Sequence, residues 1–309
     1  MEKLYKLGSA PHIRTSETVE KVMYDVIIAL IPAMLVAVYF FGLRALWVTL
    51  VAVVAAMVSE AAWQKIMKEP IDVLDGSAII TGILFAFVVP VTLPYPIVIL
   101  GSVVSIILGK MVFGGLGHNV FNPALVGRIF ITISYPVAMT NWVGVDGVAG
   151  ATALDYLKNG NAIETISNNV YLDLFIGRMG GSLGEVSALA ILIGGIYLII
   201  RGQIDWKMPA IIFATVAVIA LVFGHNPIEH LLTGGLFLGA FFMATDMVTT
   251  PYTTSGKLIF GFGVAAITML IRLRGAYPEG VAFSILVMNG VTSIINKYTK
   301  PKKFGEVKK

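Results

Sequence analysis

The sequence predicts an all-α integral membrane protein with about ten transmembrane helices in two inverted five-helix repeats. The first observation is composition: of 309 residues, 57% are hydrophobic and 13% are charged, and the mean hydropathy is +0.86. An average soluble domain has about 25% charged residues, so a soluble protein of this composition could not cover its surface with polar groups. The other two observations are the spacing of the apolar segments and a similarity between the two halves of the chain.

The apolar residues fall into ten segments. These segments are residues 22–41, 45–63, 77–92, 95–114, 122–139, 184–200, 208–224, 230–249, 257–274 and 279–296. Several are shorter than the roughly 20 residues that a straight span requires. Pro90 lies in the third segment, and glycines and Asp246 interrupt the eighth. We therefore expect these two segments to be broken or buried inside the helical bundle.

The two halves of the chain share a short sequence pattern. Residues 91–95 (Val-Thr-Leu-Pro-Tyr) resemble residues 248–252 (Val-Thr-Thr-Pro-Tyr), and the same offset places Gly82 on Gly239. Each match ends the third segment of its half. Because five spans per half is an odd number, the second half must enter the membrane in the opposite orientation, as in inverted-repeat transporters. Chance similarity between two proline-containing loops is the alternative.

One long polar segment divides the chain. We assign residues 1–21 to a cytoplasmic N-terminal segment, 22–139 to a first membrane repeat, 140–183 to an extracytoplasmic loop, 184–296 to a second membrane repeat and 297–309 to a basic cytoplasmic tail. Lysine and arginine concentrate at the segment ends that a cytoplasmic N-terminus would place inside, and this bias sets membrane orientation. The prediction is a multi-pass protein of the cytoplasmic (inner) membrane. The tail fits a membrane surface rather than nucleic acid, since no base-reading motif accompanies it.

The chain has no cysteine, which excludes disulfides, thiolate zinc sites and thiolate-held iron–sulfur clusters. The sequence also lacks a P-loop, a dinucleotide-binding fingerprint and a metalloprotease helix. If the protein carries electrons, an organic cofactor must carry them.

The polar loop contains the segment Asp146-Gly-Val-Ala-Gly-Ala-Thr152. Small residues Gly150 and Ala151 precede the threonine, and we expect another enzyme to be able to reach and modify its hydroxyl. The segment resembles the flavinylation motif of the Rnf and sodium-pumping NADH:quinone reductase complexes, in which an acidic residue precedes Ser/Thr-Gly-Ala-Thr. It departs from that motif at Ala149. The resemblance implies FMN joined to Thr152 through its phosphate, with Asp146, Gly150 and Ala151 in the recognition motif.

Further segments extend the resemblance along nearly the whole chain. They are residues 9–12 (Ser-Ala-Pro-His), 114–124, 239–251, 274–280 and 288–289. Together they resemble the D subunits of Rnf ion-translocating ferredoxin:NAD oxidoreductases, which are related to the B subunits of the sodium-pumping quinone reductases. The resemblance implies a redox subunit that is not catalytic alone and that relays electrons between ferredoxin and NAD while Na⁺ or H⁺ is exported. It also implies partners: a flavin transferase, an FMN-bearing extracytoplasmic subunit and iron–sulfur subunits.

The resemblance further implies a second, noncovalent flavin (riboflavin), for which Asn119 and Asn122 are the matching residues. Asn122 followed by proline is equally a helix N-cap, and both interpretations can hold. Arg128 lies within an apolar segment, so we expect it to pair with a flavin phosphate or a carboxylate. Asp246 and Thr249 lie at the broken eighth segment and are candidates for an ion path, although an interfacial carboxylate and helix-packing threonines are the plainer alternatives.

Two other functional classes stay open. One is an inverted-repeat transporter or channel without a redox cofactor, with the 140–183 loop as a lid. The other is a structural membrane anchor that positions redox partners.

Overall fold

A computed structural model describes residues 17–144, 150–159, 169–178, 180–184, 187–275 and 279–301. Within these ranges the regular structure is helical, without a β-strand. The first five helices are α1 (Val19–Phe41), α2 (Leu43–Met67), α3 (Ser77–Phe87), α4 (Tyr95–Ile107) and α5 (Pro123–Ser134). Short helices α6 (Pro136–Met139), α7 (Ala153–Lys158) and α8 (Val170–Ile176) follow. The second half contains α9 (Ala188–Ile200), α10 (Lys207–Val222), α11 (Pro227–Leu232), α12 (Leu236–Leu238), α13 (Thr254–Arg274) and α14 (Val281–Thr299).

Long apolar helices support the expectation of a multi-pass membrane protein. Four stretches in the described residues are long and apolar enough to cross a membrane: Val19–Phe41, Leu43–Met67, Tyr95–Phe113 and Thr254–Arg274. The third of these is α4 with its 3₁₀ extension, Met111–Phe113. Helices α3, α5, α9 and α10 are apolar but shorter. Each of the ten apolar segments seen in the sequence contains a helix.

The third and eighth segments are interrupted, as predicted. Helix α3 ends at Phe87, before Pro90, and most of its side chains are buried. In the eighth segment, α12 leads into a π-helical turn, Gly239–Met243, whose residues are all buried. π-Helical turns occur frequently at functional sites. Gly82 explains how α3 reaches the centre of the bundle, because a Cβ there would lie 2.6 Å from the Cα of Val53 on α2.

The two halves share part of their packing pattern. In the first half, α2 packs on α3 and α4, and α4 packs on α5. In the second half, α10 packs on the π-helical turn and α13, and α13 packs on α14. Helices in corresponding positions also meet across the halves, namely α1 with α9 and α5 with α14. This correspondence is what a repeat predicts.

A buried carboxylate joins the two halves where α1 meets α9. Asp25 accepts hydrogen bonds from the Tyr197 hydroxyl (2.9 Å), Arg201 Nε (3.0 Å) and Gln203 Nε2 (3.1 Å). A buried carboxylate requires such donors, because an unpaired charge away from water costs several kcal/mol. Asp25 therefore fixes the contact between the first helix of each half.

The polar loop is partly helical and packs on the second half. Ala153 of α7 lies in a small apolar cluster with Val170 and Leu174 of α8, and Leu232 of α11 packs against that cluster. The cluster holds α7, and therefore Thr152 immediately before it, against α8 and α11.

Candidate functional site

A cavity lies where the interrupted segments of the two halves meet. It contains about 820 Å³ of space not filled by protein atoms, part of it open to the outside. Apolar side chains form most of the wall. The polar wall residues include Thr81, Lys110, Asn119, Asn122, Gln203 and Asp246.

The two asparagines predicted to hold a noncovalent flavin both line this cavity. Asn122 is the N-cap of α5, and its Oδ1 accepts from the backbone N–H of Leu125 (3.4 Å). Asn119 Nδ2 donates to the carbonyl of Phe121 (3.2 Å). These backbone bonds fix which way each amide points. Among the described residues, no hydrogen bond is made by Asn119 Oδ1 or Asn122 Nδ2, so one acceptor and one donor stay available.

One acceptor and one donor are the groups that the ring edge of a flavin could bind, since that edge carries an N–H donor between carbonyl acceptors. Positive φ angles at Gly114, Gly115 and Gly117 (113°, 84° and 88°) turn the chain just before Asn119. Residues with a side chain rarely adopt these angles. The glycine-rich segment therefore creates the bend that brings both asparagines to one wall.

A buried ion pair forms another part of the wall. Lys110 Nζ donates to both carboxylate oxygens of Glu60 (2.7 and 2.8 Å) and to the hydroxyl of Ser77 (2.5 Å). The Ser77 hydroxyl in turn contacts both carboxylate oxygens of Asp75 (2.7 and 2.8 Å). The Lys110 and Glu60 side chains are only 2% and 3% exposed. A charged pair buried inside a membrane protein indicates a candidate functional site, and it is weak evidence for added stability.

On the opposite wall, Asp246 follows the π-helical turn. Its Oδ2 accepts from the Thr249 hydroxyl (2.9 Å), and its Oδ1 accepts from the Val248 N–H (3.4 Å). The structure therefore brings the two predicted ion-path residues into direct contact and places Asp246 on the same cavity as the asparagines.

Thr152 lies in a different place, at the N-terminus of α7. Its hydroxyl accepts from the Asp155 N–H (3.2 Å) and its backbone N–H donates to Asp155 Oδ2 (3.0 Å), and these two bonds form a capping box. The hydroxyl also donates to Asp155 Oδ2 (2.8 Å). Thr152 is 7% exposed. The expectation of an accessible hydroxyl is wrong for this conformation: it rested on the small residues before Thr152, whereas the cap after Thr152 covers the hydroxyl.

The two residues before Thr152 are exposed, unlike Thr152 itself. Gly150 and Ala151 are exposed, and a Cβ at Gly150 would meet nothing within 4 Å. Asp146 lies outside the described residues. Gly150 and Ala151 thus face solvent, while the cap with Asp155 covers the Thr152 hydroxyl.

A second, smaller cavity of about 390 Å³ adjoins Thr152. Its wall includes Gly180, Thr233 and Glu279. Glu279 forms an ion pair with Arg128, and both side chains are mostly buried. Arg128 thus binds a carboxylate, which was one of the two partners expected for it, and Glu279 links it to the cavity beside Thr152.

Lys158 ends α7, on the same short helix that Thr152 begins. Its Nζ is buried and makes no hydrogen bond within the described residues. Burial lowers the pKa of the Lys158 amine, and the charge of Asp155 partly opposes that shift. Among the described residues, the short helix that Thr152 begins therefore ends in a buried lysine amine without a hydrogen-bond partner.

Sequence reasoning missed three residues. Asp155 had a local signal, since Thr-x-x-Asp before an apolar turn is a capping pattern. Glu279 appeared only as part of the matched segment 274–280, and Asn289 only as part of the matched pair 288–289; neither was assigned a role. Their partners, Arg128 and Asn122, lie 151 and 167 residues away in sequence, so no local pattern could have paired them.

Comparison with known proteins identifies the family of this chain. The sequence pattern of the NQR2, RnfD, RnfE family matches residues 6–305. The chain is 47% identical to the D subunit of the Na⁺-translocating ferredoxin:NAD⁺ oxidoreductase complex of Acetobacterium woodii, over 98% of this chain and 96% of that protein. It is 43% identical to the D subunit of the proton-translocating complex of Clostridium ljungdahlii, over 98% and 97%. It is 36% identical to the D subunit of the ion-translocating oxidoreductase complex of Halorhodospira halophila, over 98% and 96%. The chain therefore belongs to the NQR2, RnfD, RnfE family.

Proposed function

We propose that this chain is a membrane subunit of an ion-translocating ferredoxin:NAD oxidoreductase, with FMN attached to Thr152 and riboflavin in the cavity between the two halves. Two relatives that match over nearly their full length are named as subunits of such complexes. The single observation that best supports a flavin role is the cavity, where Asn119 and Asn122 keep an acceptor and a donor available beside the Asp246 carboxylate.

Flavins would supply the exchange of one or two electrons that a chain without cysteine cannot perform itself. At the outer site, Thr152 provides the oxygen of the phosphoester, and the exposed Gly150 and Ala151 leave room for a transferase. Attachment forms a bond between the Thr152 oxygen and the flavin phosphorus, breaks the bond from that phosphorus to the leaving group of the transferase's flavin nucleotide substrate, and releases the hydroxyl proton. The bond that Thr152 donates to Asp155 must therefore be lost. We therefore propose that α7 opens at its N-terminus before the transferase acts.

At the inner site, the asparagines orient the ligand and the apolar wall excludes water. Lys110 and its partner Glu60 place a fixed ion pair at this wall. Because electrostatic interactions strengthen where water is excluded, charges on the cavity wall influence a bound redox group more than surface charges do.

For ion movement we propose Asp246 and Thr249. Asp246 lines the cavity and accepts from the Thr249 hydroxyl, so a flavin bound in the cavity would have a carboxylate in the same wall. A cation or proton near this carboxylate and an electron on the flavin attract one another, which is the simplest physical basis for coupling. The transported ion is Na⁺ or H⁺; relatives named for each are similar to this chain.

We also propose the topology inferred from the sequence: ten spans in two inverted repeats, both termini cytoplasmic and the loop with Thr152 outside. The repeated packing of α2 to α5 and of α10 to α14 supports the repeat. In the complex, an FMN-bearing extracytoplasmic subunit and iron–sulfur subunits would supply the redox sites that this chain does not contain.

The noncovalent site is tested by substituting Asn122. Asn122→Asp keeps the oxygen that caps α5 but replaces the amide donor, whereas Asn122→Ala removes both. We expect both variants of the assembled complex to lose noncovalent flavin during purification, with the Asp variant keeping its stability. Retention of the wild-type flavin content by Asn122→Asp would contradict the site. A transporter without a redox cofactor would contain no flavin in any of these proteins.

A further inference from the structure

Asn289 of α14 is a buried polar residue between the two halves of the chain. It is 1% exposed. A buried amide costs free energy unless its donor and acceptor are both satisfied. Its partners therefore show what the residue holds in place.

The Asn289 amide bonds once to each half. Its Oδ1 accepts from the backbone N–H of Asn122 (3.1 Å), and its Nδ2 donates to the carbonyl of Thr249 (3.2 Å). Both bonds lead to the cavity. Asn122 lines it directly, and Thr249 holds the Asp246 carboxylate that lines it from the other side.

We propose that Asn289 is a positioning residue for the ligand of this cavity. By fixing the backbone of Asn122, it fixes the direction of the amide nitrogen that stays available to a ligand. Through the same amide it holds the turn that carries Asp246. This inference rests on the proposed function, because it takes the cavity ligand to be a flavin.

A variant of the neighbouring Thr292 can distinguish a positioning role of Asn289 from general packing. Thr292 Oγ1 also donates to the Thr249 carbonyl (2.9 Å) and to Met288 of its own helix (3.1 Å). The Thr249 turn thus has a second support from α14. Within the described part of the chain, Asn289 alone joins this carbonyl to Asn122 through hydrogen bonds.

The test compares three variants of the assembled complex. Asn289→Leu removes both bonds at similar volume. Thr292→Val removes a bond to the same Thr249 carbonyl but leaves the bond to Asn122. Asn296→Ala is a control on α14, where the side chain accepts from the Tyr252 N–H (3.3 Å) at an exposed position. The readouts are noncovalent flavin per complex after gel filtration, the dissociation constant on dilution and the visible absorption spectrum of the bound flavin.

We expect Asn289→Leu to weaken flavin binding about tenfold, the equivalent of one hydrogen bond of about 1.4 kcal/mol. Thr292→Val and Asn296→Ala should stay within about twofold of wild type. Equal losses in Asn289→Leu and Thr292→Val would make Asn289 a packing residue and overturn the inference.

The remaining outcomes are equally decisive. Wild-type complex without noncovalent flavin overturns both the cavity assignment and this inference, whereas wild-type flavin retained in Asn289→Leu overturns this inference alone. If Asn289→Leu does not assemble, Asn289→Ala takes its place. Failure of both, with Thr292→Val assembled, would show that Asn289 serves folding and would also overturn the inference.

Discussion

The Lys110–Glu60 pair allows a quantitative test of how charge is held at the cavity wall. Lys110 Nζ has three acceptors within 2.5–2.8 Å, two of them on Glu60, and both side chains are almost fully buried. Glu60→Gln keeps the shape of the side chain but leaves the ammonium without its carboxylate. Removing one partner of a buried pair costs about 3–5 kcal/mol, because the other charge stays buried. Replacing both partners by apolar or neutral groups is often close to neutral.

We therefore expect Glu60→Gln to lower the free energy of unfolding by about 3–5 kcal/mol, and addition of Lys110→Met to restore most of that loss. The assay is reversible unfolding by sodium dodecyl sulfate in mixed micelles. Asp205→Asn is the matched control, since its bond to Lys257 is longer (3.5 Å) and the two side chains are 24% and 28% exposed. It should cost less than about 1 kcal/mol. Equal costs for Glu60→Gln and Asp205→Asn, or a double variant no better than Glu60→Gln, would refute this reasoning.

Other contacts give three further predictions. Glu279→Gln should lower the free energy of unfolding by a few kcal/mol, because it removes the carboxylate that pairs with Arg128. Unfolding in detergent measures this loss, and a loss under about 0.5 kcal/mol would contradict the buried pair. Gly194→Ala should lower the midpoint of thermal unfolding, because the added Cβ would overlap a backbone carbonyl of α1. Gly290→Ala is the control and should be tolerated, since its Cβ would make an ordinary contact with Phe121 at 3.6 Å. Similar midpoints for the two variants would show that α1 and α9 are not packed so closely. The lowered pKa of Lys158 means that the folded chain binds fewer protons than the unfolded chain, so stability should rise with pH up to about 10.5. Lys158→Met should remove this rise of stability with pH. If melting experiments show the same pH dependence in the variant as in the wild type, Lys158 is not its cause.

Much of the fold could be predicted from the sequence because its signals are local. A long apolar run predicts a span, and a proline or a group of glycines within such a run predicts an interruption. Helix α3 ends just before Pro90, and the π-helical turn begins at Gly239. The N-cap at Asn122 was a local prediction as well, and the structure confirms it.

The site was less predictable because long-range contacts build it. Nothing near Arg128 in the sequence indicates Glu279, and nothing near Asn122 indicates Asn289. These pairs form only after the two halves pack together. Thr152 shows a different limit: its capping partner Asp155 was visible three residues away, yet the small residues before it suggested an open hydroxyl.

The attachment of FMN to Thr152 is the central claim, and intact-mass measurement tests it most directly. The chain would be produced together with its flavin transferase, as wild type, Thr152→Ser and Thr152→Ala. We predict a mass increase of one FMN less one water on the wild-type chain, located on Thr152 by fragmentation. The increase should persist to some degree in Thr152→Ser, which keeps a hydroxyl, and should be absent from Thr152→Ala. An unmodified wild-type chain, or a flavin that stays covalently attached in Thr152→Ala, would contradict the claim.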